Sequence, residues 1–132
     1  MAIPKLIPIA REAGYHTDQI GSYADGQYVG FAFFLEPGQQ RLVSVLHLFD
    51  VAGVHVSSQA WDSGSGVDPQ TELNRAIAAL PKAKPGNVLV VPFSVEFFGT
   101  TFGLIPDEDE ERVDYEPYGL AFFPPWDGLY DT

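Results

Sequence analysis

Two histidines eight positions apart, His47 and His55, are the side chains in this sequence best suited to chemistry. They lie in residues 41–61, RLVSVLHLFDVAGVHVSSQAW, a segment with the pattern of a β-hairpin. Two imidazoles on one face of a hairpin, joined by a carboxylate, could hold zinc or iron. The candidates for the missing third ligand are His16, Asp25 and Asp62. None of these has a diagnostic spacing, so a hydrogen-bonded or solvated role for His47 and His55 is the favoured interpretation, and no metal site is predicted.

Nucleophilic chemistry has one arrangement to consider. Ser57 lies opposite His47 in the predicted pairing, and an aspartate could complete a hydrolytic triad. Serine beside histidine in a hairpin is common by chance, however. The sequence also has no nucleophile elbow, phosphate-binding loop, zinc-protease helix or dinucleotide fingerprint. We therefore predict no enzyme activity, no catalytic residue and no cofactor.

The turn of the hairpin can be assigned from residue types. Asp50, Val51, Ala52 and Gly53 fit a type I turn whose final glycine adopts the left-handed conformation. This makes a three-residue loop closed by Asp50 and Val54, and it separates the two faces. The predicted core face holds Leu42, Ser44, Leu46, Leu48, Val54, Val56, Ser58 and Ala60. The second face holds Arg41, Val43, Val45, His47, Phe49, His55, Ser57, Gln59 and Trp61.

The second face mixes histidine with aromatic and β-branched residues, which is typical of a contact surface. We expect a protein-binding surface there, formed by Val43, Val45, His47, Phe49, His55 and Trp61. Tryptophan is common at interface hot spots. An alternative of nearly equal weight is that Trp61 closes the rim of the core. If the two faces are assigned correctly, Leu46→Asp should unfold the protein, whereas His47→Asp should leave it folded.

The remaining elements follow from turn residues and hydrophobic pattern. Residues 1–26 are predicted to be an irregular, partly extended lead-in, and residues 36–38 a turn. Strands are expected at residues 27–35, 88–98 (interrupted near Pro92), 100–105 and 118–123. One amphipathic helix is predicted to begin at Pro69, with Asp68 as its N-cap, and to stop at Pro81. Its apolar face is formed by Leu73, Ala76, Ile77 and Leu80.

This order of elements predicts an α+β fold. We expect a mainly antiparallel sheet of five to six strands, with the amphipathic helix packed on one face. A chain of 132 residues with 45% hydrophobic residues is long and apolar enough for a single domain spanning residues 1–132.

The net charge of -11 restricts the possible partners. Nucleic acid is not expected, because phosphate binding needs concentrated Lys and Arg. An acidic surface suits a basic protein partner, or only solubility. The absence of cysteine and of a membrane-spanning or signal segment favours a cytoplasmic protein.

Two further segments were assigned from composition. Residues 107–116 contain seven carboxylates and one arginine, and they are predicted to form an exposed acidic loop. The run at residues 107–111 lacks the alternating ligands and central glycine of a calcium loop. The aromatic tail FPPWDGLYDT is expected to pack onto the domain, with Trp126 at the rim of the core.

Several segments resemble a family of short acidic bacterial proteins labelled formate hydrogenlyase regulatory protein. They are IPIAREAGYHTDQIGSYADGQYVG, the hairpin RLVSVLHLFDVAGVHVSSQAW, FSVEFFGTTFGLIPD and the tail FPPWDGLYDT. The resemblance covers most of the chain, which is shorter than other members between Gly30 and Arg41 and between Trp61 and Leu80. It implies a cytoplasmic regulator that acts through protein contacts and carries no catalytic residues.

Three functions are therefore compatible with the sequence. The first is a regulatory protein-binding domain that uses the second face of the hairpin. The second is an immunity-like protein that neutralises a cognate toxin, which a toxin coding sequence immediately upstream would indicate. The third is a small metal-dependent enzyme built on His47 and His55, which stoichiometric zinc or iron in the purified protein would indicate.

Overall fold

The computed structural model describes residues 3–35 and 41–132, and within them the chain is mostly β-strand. The strands are β1 (Ile7–Ile9), β2 (Ile20–Tyr23), β3 (Gly26–Phe34), β4 (Leu42–Asp50), β5 (His55–Asp62), β6 (Lys84–Pro85), β7 (Val88–Val90), β8 (Phe93–Phe97), β9 (Thr100–Asp107), β10 (Arg112–Glu116) and β11 (Leu120–Phe122). One α-helix, α1 (Pro69–Ala78), and one 3-10 turn (Ser63–Ser65) complete the described elements.

All paired strands are antiparallel, and they form three sheets. The largest has the order β5-β4-β3-β2-β6, the second the order β11-β10-β9-β8, and the smallest pairs β1 with β7. The α+β class with antiparallel pairing is confirmed in this broad form, whereas the single sheet of five to six strands is wrong. The middle strands of the largest sheet bury side chains on both faces. One short helix cannot cover two faces, so a second sheet is needed.

The two cores lie on opposite faces of the largest sheet. The main core lies between this sheet and the four-stranded sheet. It includes Val29, Phe31, Val45, Phe49, Phe102, Leu104, Val113, Tyr115, Leu120 and Phe122. The helix-side core is smaller and centres on Tyr28, Leu46 and Leu73.

Helix α1 follows the prediction closely except at its cap. It begins at Pro69 and ends before Pro81, and its predicted apolar side chains pack into the helix-side core. Asp68 occupies the N-cap position without capping a backbone N–H; its carboxylate accepts a hydrogen bond from the Thr71 hydroxyl at 2.6 Å. No helix in the described ranges has the length and apolar character needed to span a membrane.

The structure refines two other assignments and confirms a third. The lead-in predicted as irregular and partly extended contains the short strands β1 and β2. The segment predicted as one long acidic loop contains β10, because Val113 and Tyr115 alternate inward while the carboxylates face outward. The interruption at Pro92 is confirmed, since β7 and β8 belong to different sheets. The turn predicted at residues 36–38 lies outside the described residues.

The carboxyl-terminal tail packs onto the domain, as predicted. The Gly128 carbonyl accepts a hydrogen bond from the Ala10 N–H at 2.9 Å, and Asp131 forms a bridge with Ala121 beside β11. Trp126 packs against the main core.

Gly103 in β9 is a position where the close approach of two strands requires glycine. Its φ of 145° is unfavourable for other residues, and a Cβ there would overlap the carbonyl oxygen of Phe93. We expect Gly103→Ala to lower the free energy of unfolding by about 2 kcal/mol or more, measured by urea denaturation. Gly86→Ala, placed in open space, should change it by less than about 0.5 kcal/mol. Equal midpoints for the two variants would contradict this account of β9.

Candidate functional site

The hairpin turn has the predicted geometry. Gly53 adopts a φ of 87°, and its N–H donates to the Asp50 carbonyl at 3.0 Å. The Asp50 N–H donates to the Val54 carbonyl at 2.9 Å, which closes the three-residue loop. The Asp50 carboxylate also accepts hydrogen bonds from the Ala52 and Val54 N–H groups at 2.9 and 3.0 Å.

A β-bulge changes the register of β4 and β5 just after the Phe49–His55 pair. Phe49 lies opposite His55, as predicted, but His47 lies opposite Ser58 instead of Ser57 because Val56 is an extra residue in β5. A shift of one residue moves every later side chain of β5 to the other face of the sheet. Ser58 therefore joins the histidines, while Trp61 moves to the helix side.

Two predicted core residues lie at the surface, since Val54 is 48% exposed and Val56 is 61% exposed. Their placement in the core was wrong. Val56 is the extra residue of the bulge, which the sequence pattern does not reveal, and Val54 precedes the bulge in the pair that closes the turn.

The predicted binding surface is not accessible as a whole. Val43, Val45, His47 and Phe49 are completely buried, because the four-stranded sheet covers this face of the hairpin. His55 is half-buried, and Trp61 packs half-buried against the helix-side core. The interpretation of this face as a binding surface is therefore corrected, and His55 and Trp61 remain partly accessible on β5.

Ser58 links the two histidines. Its Oγ lies 2.6 Å from His47 Nδ1 and 2.7 Å from His55 Nε2, and the two ring centroids are 6.2 Å apart. The hydroxyl has a single proton, so it donates to one neutral imidazole and accepts from the N–H of the other. This chain of hydrogen bonds ties β5 to β4 at the edge of the sheet.

The environment of the two imidazoles keeps them neutral. Phe93 stacks on His55 at 4.6 Å between ring centroids and meets His47 edge-on at 4.7 Å. Burial, and after it the neighbouring His55, lowers the pKa of His47 to about 3. Burial also lowers the pKa of His55, opposed by the Ser57 backbone. His47 Nε2 is buried with no hydrogen-bond partner in the described part of the chain.

The structure does not bring a third metal ligand to the histidine pair. Each imidazole directs one nitrogen at Ser58, and no group of three or more His, Cys, Asp or Glu suited to a metal occurs among the described residues. His16 lies beside Tyr118, with 3.0 Å between His16 Nδ1 and Tyr118 Oη. Asp62 forms an ion pair with Arg41 at 2.7 Å.

The outer edge of β5 is the most open part of this region. β5 is the last strand of its sheet, and no strand in the described ranges pairs with its outer edge. Between the histidine at its start and Asp62 at its end, β5 has no charged residue and no proline, which are two of the usual means of protecting an edge. A third means, a β-bulge, occurs within β5 only at Val56, so residues 57–61 form a regular edge. Val51, in the adjacent turn, is 81% exposed. With Val54 and Val56 it forms an exposed apolar patch next to the edge.

A second feature, a cleft of about 230 Å³, was not found from the sequence. We call it the tyrosine cleft. It is lined by Gly14, Tyr15, His16, Asp18, Gln19, Gly30, Phe31, Ala32, Gln70 and Tyr118. Its walls come from the loop before β2, from β3, from α1 and from the turn after β10. Residues so distant in sequence give no local signal.

No protein-family model, curated protein or solved structure matches this chain. The function is therefore argued from the geometry of the β5 edge and its surroundings.

Proposed function

We propose that this protein is a non-catalytic, regulatory protein-binding domain that pairs the outer edge of β5 with an extended segment of a basic partner. The observation that carries the proposal is the unpaired, uncharged edge between His55 and Asp62. Such an edge presents a row of backbone donors and acceptors to which another chain can add a strand.

The neighbourhood of the edge supplies specificity. Main-chain hydrogen bonds contribute affinity without selecting a sequence, so side-chain contacts must make the selection. The exposed patch of Val51, Val54 and Val56 suits an apolar residue of the added strand. The Ser58 bridge to His47 and His55 supports the edge from inside and holds β5 in register.

The charge of the protein favours a basic partner. The net charge is -11, and the exposed residues 108–110 are all carboxylates. A field of one sign accelerates the encounter with a partner of opposite charge. The resemblance to proteins labelled as regulators supports the same class of function. A toxin neutralised by an immunity-like protein would be one basic partner of this kind.

The test is an affinity pull-down from the native host with the wild type, Val56→Lys and Thr101→Lys. Both variants add one positive charge at an exposed strand position, but Thr101 lies in β9 of the other large sheet, opposite Glu96 of β8 and outside the β5 edge. We expect Val56→Lys to reduce the amount of retained partner at least about tenfold and Thr101→Lys to retain it. Equal loss from both would show a general charge effect, and retention by both would contradict pairing at β5.

Hydrogen exchange then locates the contact. Binding of the purified partner should slow exchange of the outward-pointing backbone amides among residues 57–61, because these alternate amides become part of a new ladder. Protection confined to other strands would contradict the proposed mode even if a partner is found.

A further inference from the structure

The tyrosine cleft lies apart from the proposed docking edge. None of its lining residues belongs to β4 or β5. Its volume of about 230 Å³ suits only a small ligand, and its walls combine aromatic rings with polar side chains.

The aromatic wall is held rigidly. Tyr118 stacks on Phe31 with ring centroids 4.7 Å apart and an interplanar angle of 14°, and its hydroxyl meets His16 Nδ1 at 3.0 Å. Tyr15 packs on His16 at 4.0 Å and is 60% exposed, so it borders the mouth of the cleft. Aromatic faces are electron-rich and attract cations.

The carboxylate of Asp18 has unused acceptor capacity. Its Oδ1 forms an ion pair with Arg11 Nη2 and accepts a hydrogen bond from the Gly14 N–H, both at 2.9 Å. Its Oδ2 makes no hydrogen bond with any described residue, and the side chain is 42% exposed. This oxygen can accept from a ligand.

The side-chain amides at the cleft also leave a hydrogen-bond acceptor free. Gln70 Nε2 donates to Gln19 Oε1 at 3.0 Å and to Asn74 Oδ1 at 2.8 Å. Gln19 Nε2 also donates to Asn74 Oδ1 at 2.8 Å. Gln70 therefore uses both of its N–H donors, on Gln19 and on Asn74, whereas Gln19 uses one, on Asn74. This leaves the Gln70 Oε1 acceptor for a ligand.

We infer that the tyrosine cleft binds a small organic cation with an alkyl stem, namely an alkylguanidinium or alkylammonium. Such a ligand supplies the donors that match the free acceptors of Asp18 and Gln70, and its charge lies against tyrosine faces. An anion would meet the Asp18 carboxylate in a protein whose net charge is already -11. The cation could be a free metabolite or the side chain of an arginine or lysine in a peptide.

The first experiment compares n-butylguanidinium with n-butylurea, its neutral counterpart of nearly the same shape. Each is titrated into the full-length ¹⁵N-labelled protein, and the backbone amide shifts are followed by NMR. We expect n-butylguanidinium to bind with a Kd of about 1 mM and to shift Gly14, Gln19 and Gly30. n-Butylurea should bind at least about tenfold more weakly. Equal binding of the two, no binding of either, or shifts confined to other residues would overturn the inference.

A pair of variants tests the aromatic contribution. Tyr15→Phe keeps the ring and should leave the Kd for n-butylguanidinium nearly unchanged, whereas Tyr15→Leu removes the ring and should weaken binding about threefold to fivefold. Tyr15 is exposed, so both variants are expected to fold. Equal affinity of the two variants would show that the ring makes no contact with the cation and would overturn the inference.

A third probe, N-acetyl-arginine N-methylamide, distinguishes the two sources of the cation. Tighter binding than n-butylguanidinium indicates a peptide side chain, and weaker binding indicates a free small cation; both outcomes require occupancy of the cleft. The inference does not depend on the proposed docking edge, because Val56→Lys should leave the Kd for n-butylguanidinium unchanged. Binding of the cation can thus fail or succeed independently of partner capture.

Discussion

His47→Asp should lower the free energy of unfolding by about 4 kcal/mol or more, enough to unfold a domain of ordinary stability. His47 is completely buried, and its surroundings are Phe93, Phe31 and Tyr115, with Ser58 as its hydrogen-bond partner. An aspartate there would be a buried charge without a cation to pair with, or would have to be protonated at neutral pH. Circular dichroism and urea denaturation at pH 7 measure the loss.

Two comparisons make this result specific. Leu46→Asp, on the helix side of the same strand, should be comparably damaging, because Leu46 is also buried. Val56→Asp should change stability by less than about 0.5 kcal/mol, since Val56 is 61% exposed. A folded His47→Asp protein with near-normal stability would mean that the four-stranded sheet does not cover the histidine face. That outcome is the one expected from the sequence, which placed His47 on an open surface.

Acidification should destabilise the protein through the same residue. The pKa of His47 is lowered by burial from 6.5 to about 3, so below pH 6.5 the unfolded chain binds a proton that the folded chain does not. The contribution of neutral His47 to the free energy of unfolding is therefore fully present above pH 6.5 and is lost as the pH falls toward 3. Between pH 7 and pH 4.5 this one group should remove about 2.5 kcal/mol from the free energy of unfolding.

The matched control is His47→Leu, which cannot titrate. Urea unfolding of both proteins at pH 7, 5.5 and 4.5 separates His47 from the carboxylates, because the carboxylates titrate in both. The difference in stability between wild type and His47→Leu should shift by about 2.5 kcal/mol in favour of the variant at pH 4.5. If the free energies of unfolding of the two proteins fell in parallel with pH, His47 would be accessible to protons in the folded state. A steeper decline in the variant would contradict the direction of the pKa shift.

The local elements of this protein could be predicted from the sequence. The turn from Asp50 to Gly53 was identified correctly, because aspartate and glycine three positions apart suit the first and last positions of a type I turn. Helix α1 was also placed correctly from Pro69, Pro81 and the spacing of its apolar residues. In both cases the determining contacts lie within about ten residues of one another.

The functional interpretation of the hairpin needed the tertiary structure. The bulge at Val56 has no local signature in the sequence, yet it places Ser58 beside the histidines and Trp61 on the helix side. A strand face that carries histidine, phenylalanine and valine can either lie open as a binding surface or be covered by a second sheet. This face is buried because the four-stranded sheet packs on it, and that sheet begins only at Phe93, about thirty positions after β5 ends.

The tyrosine cleft is the clearest case of dependence on tertiary structure. His16 and Tyr118 are 102 residues apart, and their contact exists because β3 lies against the turn that follows β10. The sequence by itself determined the turn, the helix, the antiparallel strands and the acidic charge, since these depend on conformational preference and composition. The tertiary structure alone decided which face is buried, which edge is open and which side chains line a cleft, because these depend on contacts between distant segments.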